Sequence, residues 1–170
     1  MEIRHLAVIR GGTLGAGITP TTASREPLLD MYRSFDPLGA AHGLPPRSEE
    51  AREEWIDHIL GEDHSVGAWS EDGRVMGHVF LAFSDFGEAE LAAFVHQDFR
   101  GRRLGSTLTR ELLAWAQQKG IRRVWALVAS DNVPALRMLK CCGFRHVRLT
   151  FPSLEMEIRL PAASEAAAHL

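Results

Sequence analysis

The stretch from Ala89 to Gly120 constrains the fold of this chain more than any other. Its first seven residues, AELAAFV, are apolar on both faces of a strand apart from Glu90, a pattern typical of a strand in the middle of a sheet. The run GSTLTRELLAWAQQKG then carries leucines at three- and four-residue spacing and ends on a glycine, which predicts a helix. A buried strand followed directly by an amphipathic helix indicates a mixed α/β protein.

Further elements are predicted on both sides of this stretch. One helix is expected with Thr21, Thr22 or Ser24 as its cap, and a second helix begins after Ser48. The runs HSVGAWS and RVMGHVFLAFS are predicted to form a hairpin, and DNVPALRMLKCC a short helix. The remaining predicted strands are Ile3–Arg10, Arg122–Ala129, Phe144–Thr150 and Leu154–Leu160.

These elements predict one α/β (α+β) domain over residues 1–160. Its core is a mixed, mostly antiparallel sheet of six to seven strands, flanked by about four helices. Residues 161–170, PAASEAAAHL, are predicted to be a disordered C-terminal tail because they have too little apolar bulk to pack.

The composition is that of an ordinary globular protein. Of the 170 residues, 45% are hydrophobic and 24% are charged, and the mean hydropathy is −0.10. A net charge of −3 argues against a general nucleic-acid binder, so an anion site would be a local patch. Cys141 and Cys142 are adjacent and poorly placed for a disulfide, and no residues have metal-ligand spacing. Without a long apolar segment, we expect a cytoplasmic protein that binds neither membrane nor nucleic acid.

The junction VHQDFRGRRLGSTL concentrates glycine and positive charge where the strand becomes the helix. Gly101 and Gly105 allow a tight turn, and Arg100, Arg102 and Arg103 add charge. Together with the unpaired N–H groups at the start of a helix, they favour a phosphate or pyrophosphate site. A surface turn with solvated arginines is the alternative, and a basic nucleic-acid patch is a weaker one. The junction has neither the Walker ending nor the Rossmann glycine pattern.

Two motifs in this order resemble those of the GCN5-related N-acetyltransferase (GNAT) superfamily. The family's acetyl-CoA motif has the core Gln/Arg-x-x-Gly-x-Gly/Ala, and RGRRLG matches it from Arg100 to Gly105, with Arg103 at the usual middle glycine. The order of elements also matches, from Ile3 to Leu160. The family's Asn-x-x-Ala helix followed by Gly-Phe is matched by Asn132, Ala135, Gly143 and Phe144.

The resemblance implies that acetyl-CoA is the co-substrate and that the sheet opens around it. The strands AELAAFV and RVWALVA would separate around the pantetheine arm, and backbone groups near Phe94 and Val95 would pair with that arm like an added strand. Asn132 would contact the coenzyme farther along. The resemblance also implies a homodimer through the C-terminal strands. Backbone N–H groups of the turn would hold the pyrophosphate, in Arg100, Gly101, Arg102, Arg103, Leu104, Gly105 and Ser106.

Glu90 is the predicted general base. It is a lone carboxylate on an apolar strand beside the expected opening, where desolvation would raise its pKa. The strand also resembles that of the acetyltransferase domains of bacterial protein-lysine acetyltransferases, in which a glutamate is the base. Alternatively, Glu88 and Glu90 lie on the solvated end of a hairpin. His78 is a second catalytic candidate, acting through a water, and a structural histidine is the alternative there.

The acid for the leaving thiolate is unassigned. Many family members have a tyrosine seven residues after the motif asparagine, and this chain has Leu139 there. The one tyrosine, Tyr32, lies on the first predicted helix. Cys141 and Cys142 are close in sequence but are more typical of small buried apolar residues. Ser130 and water stay open as donors.

The acceptor side is expected in MYRSFDPLGAAHGLPP, with Tyr32, Phe35 and Asp36 as substrate-binding candidates. We predict transfer of an acetyl group from acetyl-CoA to a primary amine, either of a small molecule or of a protein lysine or N-terminus. A catalytically weak domain that binds acyl-CoA for sensing or scaffolding is the alternative.

Overall fold

The computed structural model of the chain describes residues 25–62, 64–70, 72–84 and 86–162. The predicted strand Ile3–Arg10, the caps Thr21, Thr22 and Ser24, and most of the predicted tail lie outside these residues. The helices are α1 (Arg25–Arg33), α2 (Glu49–Glu62), α3 (Leu104–Gln118) and α4 (Val133–Cys141), with a short 3-10 helix at Gln97–Phe99. The strands are β1 (His64–Trp69), β2 (Val75–Phe83), β3 (Glu88–Val95), β4 (Arg123–Ala129), β5 (Arg145–Thr150) and β6 (Ser153–Arg159).

The strands form one mixed sheet in the order β1-β2-β3-β4-β6-β5. Only the β3–β4 pair is parallel among the neighbours, and the other four pairs are antiparallel. The predicted α/β class, with six strands and four helices in the described residues, is therefore confirmed. The division into a domain at 1–160 and a tail at 161–170 stays a prediction.

The ladder between β3 and β4 is short. Glu88–Glu90 pair with Arg123–Trp125, and the pairing stops there. On its other side, β3 pairs with β2 along its whole length to Val95. The two parallel strands therefore separate after Glu90, and no strand of the described residues pairs with this edge of β3 from Leu91 to Val95. We call these five residues the open edge.

Two cores lie on opposite faces of the sheet. Leu91 on β3 packs with Leu108 and Leu112 of α3, whereas Phe94 packs with Tyr32 of α1. This alternation follows from the two-residue period of a strand. Because β3 is buried from both faces, its apolar residues leave Glu90 as the polar position nearest to the point where the strands part.

Local sequence signals explain where two of the helices begin or end. Ser48 caps α2, since its side-chain oxygen accepts from the amide of Ala51 at 3.3 Å. Gly120 has a φ of +79° just after α3, a conformation that glycine adopts without a steric penalty.

Candidate functional site

The turn between β3 and α3 reverses the chain through two left-handed residues. Gly101 has a φ of +77°, and Arg103 has a φ of +62° and a ψ of 10° immediately before α3. Glycine adopts this conformation freely, whereas arginine does so against a steric penalty. The geometry explains why the family motif usually has glycine at the position of Arg103.

The turn places the start of α3 beside the open edge. The first helical hydrogen bond runs from the amide of Thr107 to the carbonyl of Arg103, at 3.0 Å. The preceding amides, of Leu104, Gly105 and Ser106, therefore have no acceptor within the helix. Three amide groups at the positive end of a 15-residue helix form a site suited to an anion.

Gly105 allows α3 to lie close to its neighbours. A Cβ atom at this position would be 3.3 Å from Cγ2 of Val95 and 3.8 Å from Cγ of Met138. The first contact is tighter than most Cβ contacts in proteins, so a larger residue would require Val95 or the helix to shift. The motif glycine thus has a packing role between α3, β3 and α4.

We expect that Arg103→Gly raises the free energy of unfolding by about 1 kcal/mol. The free energy gained when the left-handed strain is relieved is larger than the cost of the extra backbone entropy that glycine loses on folding. Urea unfolding measures the difference. Arg102→Gly is the matched control, because Arg102 is exposed and does not have a positive φ. That control should lose stability, and an equal loss in both variants would contradict the assignment of strain to Arg103.

The arginine side chains of the turn point in different directions. Arg100 is directed toward the protein, where its Nε donates to the carbonyl of Val95 at 3.0 Å and its Nη2 donates to the carbonyl of Asp36. Its guanidinium also lies 5.4 Å from the centre of the Phe35 ring. Arg102 lies over the ring of Phe99 at 5.6 Å. The charge predicted at Arg100 is therefore engaged by the protein itself.

The backbone of β3 alternates between its two neighbours. The amide of His96 donates to the carbonyl of Met76 at 3.0 Å, so even-numbered residues direct their N–H and C=O groups toward β2. Odd-numbered residues then face the open edge, as the Arg100 contact to the Val95 carbonyl also indicates. Of the two predicted backbone positions, Val95 therefore lies on the open edge and Phe94 is paired with His78.

Glu90 is the last residue of β3 that pairs with β4. Its side chain is half-buried, and desolvation raises its pKa above the ordinary value, while an electrostatic interaction with His42 opposes the rise. Glu88 differs, because it forms an ion pair with Arg123 at 2.7 Å. Glu90 forms no ion pair with another described residue, and its half-buried side chain is less solvated than a fully exposed glutamate.

Arg123 neutralises the other carboxylates on this part of the sheet. Its guanidinium contacts Glu88, Glu155 at 2.7 Å and Glu157 at 2.6 Å. The hydrogen bond from Arg123 also lowers the pKa of Glu157. With its nitrogens engaged in this way, Arg123 joins β3, β4 and β6 at the base of the opening. Among the described residues of β3, Glu90 is the carboxylate that Arg123 does not engage.

His78 and Tyr32 form a buried pair away from Glu90. The Tyr32 hydroxyl and Nδ1 of His78 share a hydrogen bond of 2.8 Å, and both residues are at most 1% exposed. Burial lowers the pKa of His78 to about 3 and raises the pKa of Tyr32 well above its ordinary value. His78 lies four residues along β2 from Ala82, the partner of Glu90, a separation of about 13 Å. The pair occupies structural positions in the core.

The other predicted acceptor residues are divided between core and surface. Phe35 is 9% exposed and packs against Tyr32 and Phe94, whereas Asp36 is exposed at the start of the loop between α1 and α2. Phe35 and Tyr32 are therefore buried in the core next to this loop, and neither is exposed enough to contact an amine. His42, farther along the loop, is the residue whose charge reaches Glu90.

Asn132 caps α4. Its side-chain oxygen accepts from the amide of Ala135 at 3.2 Å, which accounts for the Asn-x-x-Ala spacing, and its side chain is otherwise exposed. Leu139, at the usual tyrosine position, is 2% exposed and belongs to the core. Cys142 is also buried, and desolvation raises the pKa of its thiol. None of these residues supplies the missing acid.

Three residues with clear roles in this region were not predicted. Gln97 contacts the backbone after α1, Arg123 holds three carboxylates, and Ser153 shares a hydrogen bond of 3.1 Å with His42. Each contact joins residues more than thirty positions apart, so no local pattern reveals it.

The described residues contain no cluster of three or more potential metal ligands. No helix in this part of the chain has the length and apolar character needed to span a membrane.

Comparison with known proteins shows the family. The model of the acetyltransferase (GNAT) family matches residues 26–144. "Putative phosphinothricin acetyltransferase YwnH" of Bacillus subtilis (strain 168) is 28% identical over 116 residues, which cover 64% of this chain and 69% of that protein. The chain therefore belongs to the GNAT acetyltransferase family. It is an acyltransferase that transfers an acetyl group to an amine and uses acyl-CoA as co-substrate.

Solved structures of low identity share the fold. The GNAT domain of S. lividans PAT superposes with a TM-score of 0.70 at 21% identity, covering 82% of this chain and 87% of that chain. The spermidine N-acetyltransferase from Vibrio cholerae, in complex with CoA and spermine, has a TM-score of 0.66 at 15% identity, covering 82% and 91%. At these identities the likeness concerns the fold alone.

Proposed function

We propose that this chain transfers the acetyl group of acetyl-CoA to a primary amine of a small molecule, or of a protein lysine or N-terminus, with Glu90 as general base. The observation that carries the proposal is the parting of β3 and β4 immediately after Glu90. At this point a half-buried carboxylate is followed by the open edge of β3 and then by the start of α3.

Acetyl-CoA would lie along the open edge. The amide groups of its pantetheine arm would pair with the backbone of Ala93 and Val95, which face away from β2. The pyrophosphate would accept from the amides at the start of α3, and the free part of the Asn132 side chain would contact the coenzyme farther along. The acetyl carbonyl would then lie toward the Glu90 end of the opening.

The transfer itself needs a neutral amine and a proton acceptor. Glu90 would take a proton from the amine nitrogen as that nitrogen attacks the acetyl carbon. The C–N bond forms, the C–S bond breaks, and the electron pair leaves on the thiolate of CoA. The thiolate would take its proton from water, since Leu139 has no acidic proton and the thiol of Cys142 is buried. Desolvation of Glu90 makes it a stronger base than a surface glutamate.

The acceptor class is proposed from the relatives. The name of the Bacillus subtilis protein favours a small amine over a protein amine.

We further propose a cytoplasmic homodimer that uses the C-terminal strands. Val147, Leu149 and Phe151 support this interface, because they are 48%, 59% and 85% exposed on the β5–β6 hairpin at the edge of the sheet.

We expect acetyl-CoA to stabilise the protein by about 3 kcal/mol at a hundredfold excess over its dissociation constant, because it binds only the folded state. A thermal shift assay measures this effect, with adenosine as a control that lacks the pantetheine arm. A melting temperature that does not respond to acetyl-CoA would contradict the proposal.

A panel of amines, with the release of free thiol from acetyl-CoA as the readout, separates the acetyltransferase from the acyl-CoA sensor. Stabilisation without turnover on any amine would favour the acyl-CoA sensor.

A further inference from the structure

The turn after β3 is attached to the segment after α1 by the side chain of Gln97. Its Nε2 donates to the carbonyl of Ser34 at 2.6 Å, and its Oε1 accepts from the amide of Asp36 at 3.1 Å. A carboxamide that donates and accepts in this way holds the two backbone groups in one orientation. His96 adds a third bond, since its Nε2 shares a hydrogen bond of 3.1 Å with the Ser34 hydroxyl.

Arg100 connects the same segment to the open edge. One guanidinium donates both to the carbonyl of Val95 and to the carbonyl of Asp36. Val95 is a backbone position at which the pantetheine arm would pair. A ligand amide that approaches the Val95 carbonyl therefore meets the Nε of Arg100 already bonded there.

The segment that Arg100 holds is the start of the acceptor-side loop, residues 36–46. Hydrogen bonds inside this loop, from Gly39 to Pro45 at 2.9 Å and from Ala41 to Leu44 at 3.1 Å, make it a compact unit. At its far side, His42 contacts Ser153 and lies close enough to lower the pKa of Glu90. The loop thus connects Asp36 with the catalytic end of the opening.

We propose that Arg100 and Gln97 are positioning residues that couple acyl-CoA binding at Val95 to the placement of the acceptor-side loop. The inference rests on the proposed function. Acyl-CoA displaces the Nε of Arg100 from the Val95 carbonyl, which weakens the hold of Arg100 on Asp36. Gln97 holds the segment in the position from which Arg100 reaches Val95, so its two hydrogen bonds oppose this displacement. Because the coupling is reciprocal, a variant that loosens the segment should also bind acyl-CoA more tightly.

The test compares the affinity of acetyl-CoA for the wild type and for Gln97→Met by titration calorimetry on the full chain. Methionine has a similar length but makes neither hydrogen bond, so Arg100 leaves Val95 more easily. We expect Gln97→Met to bind acetyl-CoA about fivefold more tightly. If Gln97 only shaped the turn for the coenzyme, its replacement would weaken the binding of acetyl-CoA. Weaker or unchanged binding by Gln97→Met overturns the proposal.

Glu111→Gln is the control, because Glu111 is exposed on α3 and belongs neither to the turn nor to the segment that Gln97 and His96 hold. Its affinity should equal that of the wild type. Arg100→Lys is a second variant in case Gln97→Met does not fold, since lysine keeps the charge but cannot bond both carbonyls through one planar group. It should also bind acetyl-CoA more tightly, and weaker binding would count against the coupling.

Hydrogen exchange of residues 36–46 gives an independent measurement. In the wild type, acetyl-CoA should accelerate exchange in this loop, and in Gln97→Met exchange should be fast without ligand. Unchanged or slower exchange in the liganded wild type overturns the coupling alone. Absence of acetyl-CoA binding by the wild type would contradict the proposed function itself, so the two failures are distinguishable.

Discussion

Glu90→Gln should lower turnover by about 10²–10⁴-fold, the usual contribution of a positioned general base. Glutamine keeps the shape of the side chain but cannot accept the proton of the amine. The dissociation constant of acetyl-CoA should stay near the wild-type value, because the proposed coenzyme contacts are backbone groups beyond Glu90. Steady-state kinetics with one good amine acceptor measures the effect. Glu88→Gln is the matched control, since Glu88 is paired with Arg123 and should not support transfer.

The dependence of kcat/KM on pH makes this test sharper. The base acts in its ionised form, so activity falls as the pH decreases through the pKa of Glu90. Because desolvation raises that pKa, the fall should occur above the range of an ordinary glutamate. This acidic limb should be absent in Glu90→Gln. If the profiles of the two proteins coincide, Glu90 is not the base.

The second large effect is expected on stability at acid pH. Burial lowers the pKa of His78 to about 3 and that of His64 to about 4. An unfolded histidine titrates near 6.5, so below that pH the unfolded state binds more protons than the folded state. Stability is therefore complete above pH 6.5 and decreases as the pH falls toward 4. For His78 the loss reaches about 3 kcal/mol by pH 4, at 1.36 kcal/mol for each pH unit.

Urea unfolding at a series of pH values measures this loss. His78→Gln should be less stable at pH 7, because Tyr32 loses its imidazole partner, but its stability should depend less on pH. His58→Gln is the matched control, since His58 is exposed on α2 and not buried in the core. If the free energy of unfolding changes equally with pH in the wild type and in His78→Gln, the folded protein accepts a proton at this site.

The elements of the central unit could be predicted from the sequence because their signals are local. The strand that contains Glu90, the glycine turn and the leucine-rich helix α3 all have patterns with a fixed period. The Asn132 cap follows from a side chain that bonds an amide three residues later. The family motifs are local in the same way, so the acetyltransferase family was recognisable before the fold was known.

The side-chain roles around the site required the tertiary structure. His78 and Tyr32 were catalytic and acceptor candidates because their chemistry is suitable, but the packing of α1 on β2 buries both. Arg100 was expected to face an anion, but its side chain bonds Val95 and Asp36. Neither result could be read from neighbouring residues, since burial and partner choice depend on elements distant in sequence.

The sequence by itself determined the mixed α/β class, the turn at Gly101 and the position of a lone carboxylate on a buried strand. These features depend on residue period, backbone freedom and composition within a few residues. Only the tertiary structure decided where β3 and β4 part, that Arg123 pairs with Glu88 and not with Glu90, and that Gln97 ties the turn to the segment after α1. These features depend on strand register and on contacts between residues more than thirty positions apart, which local patterns do not encode.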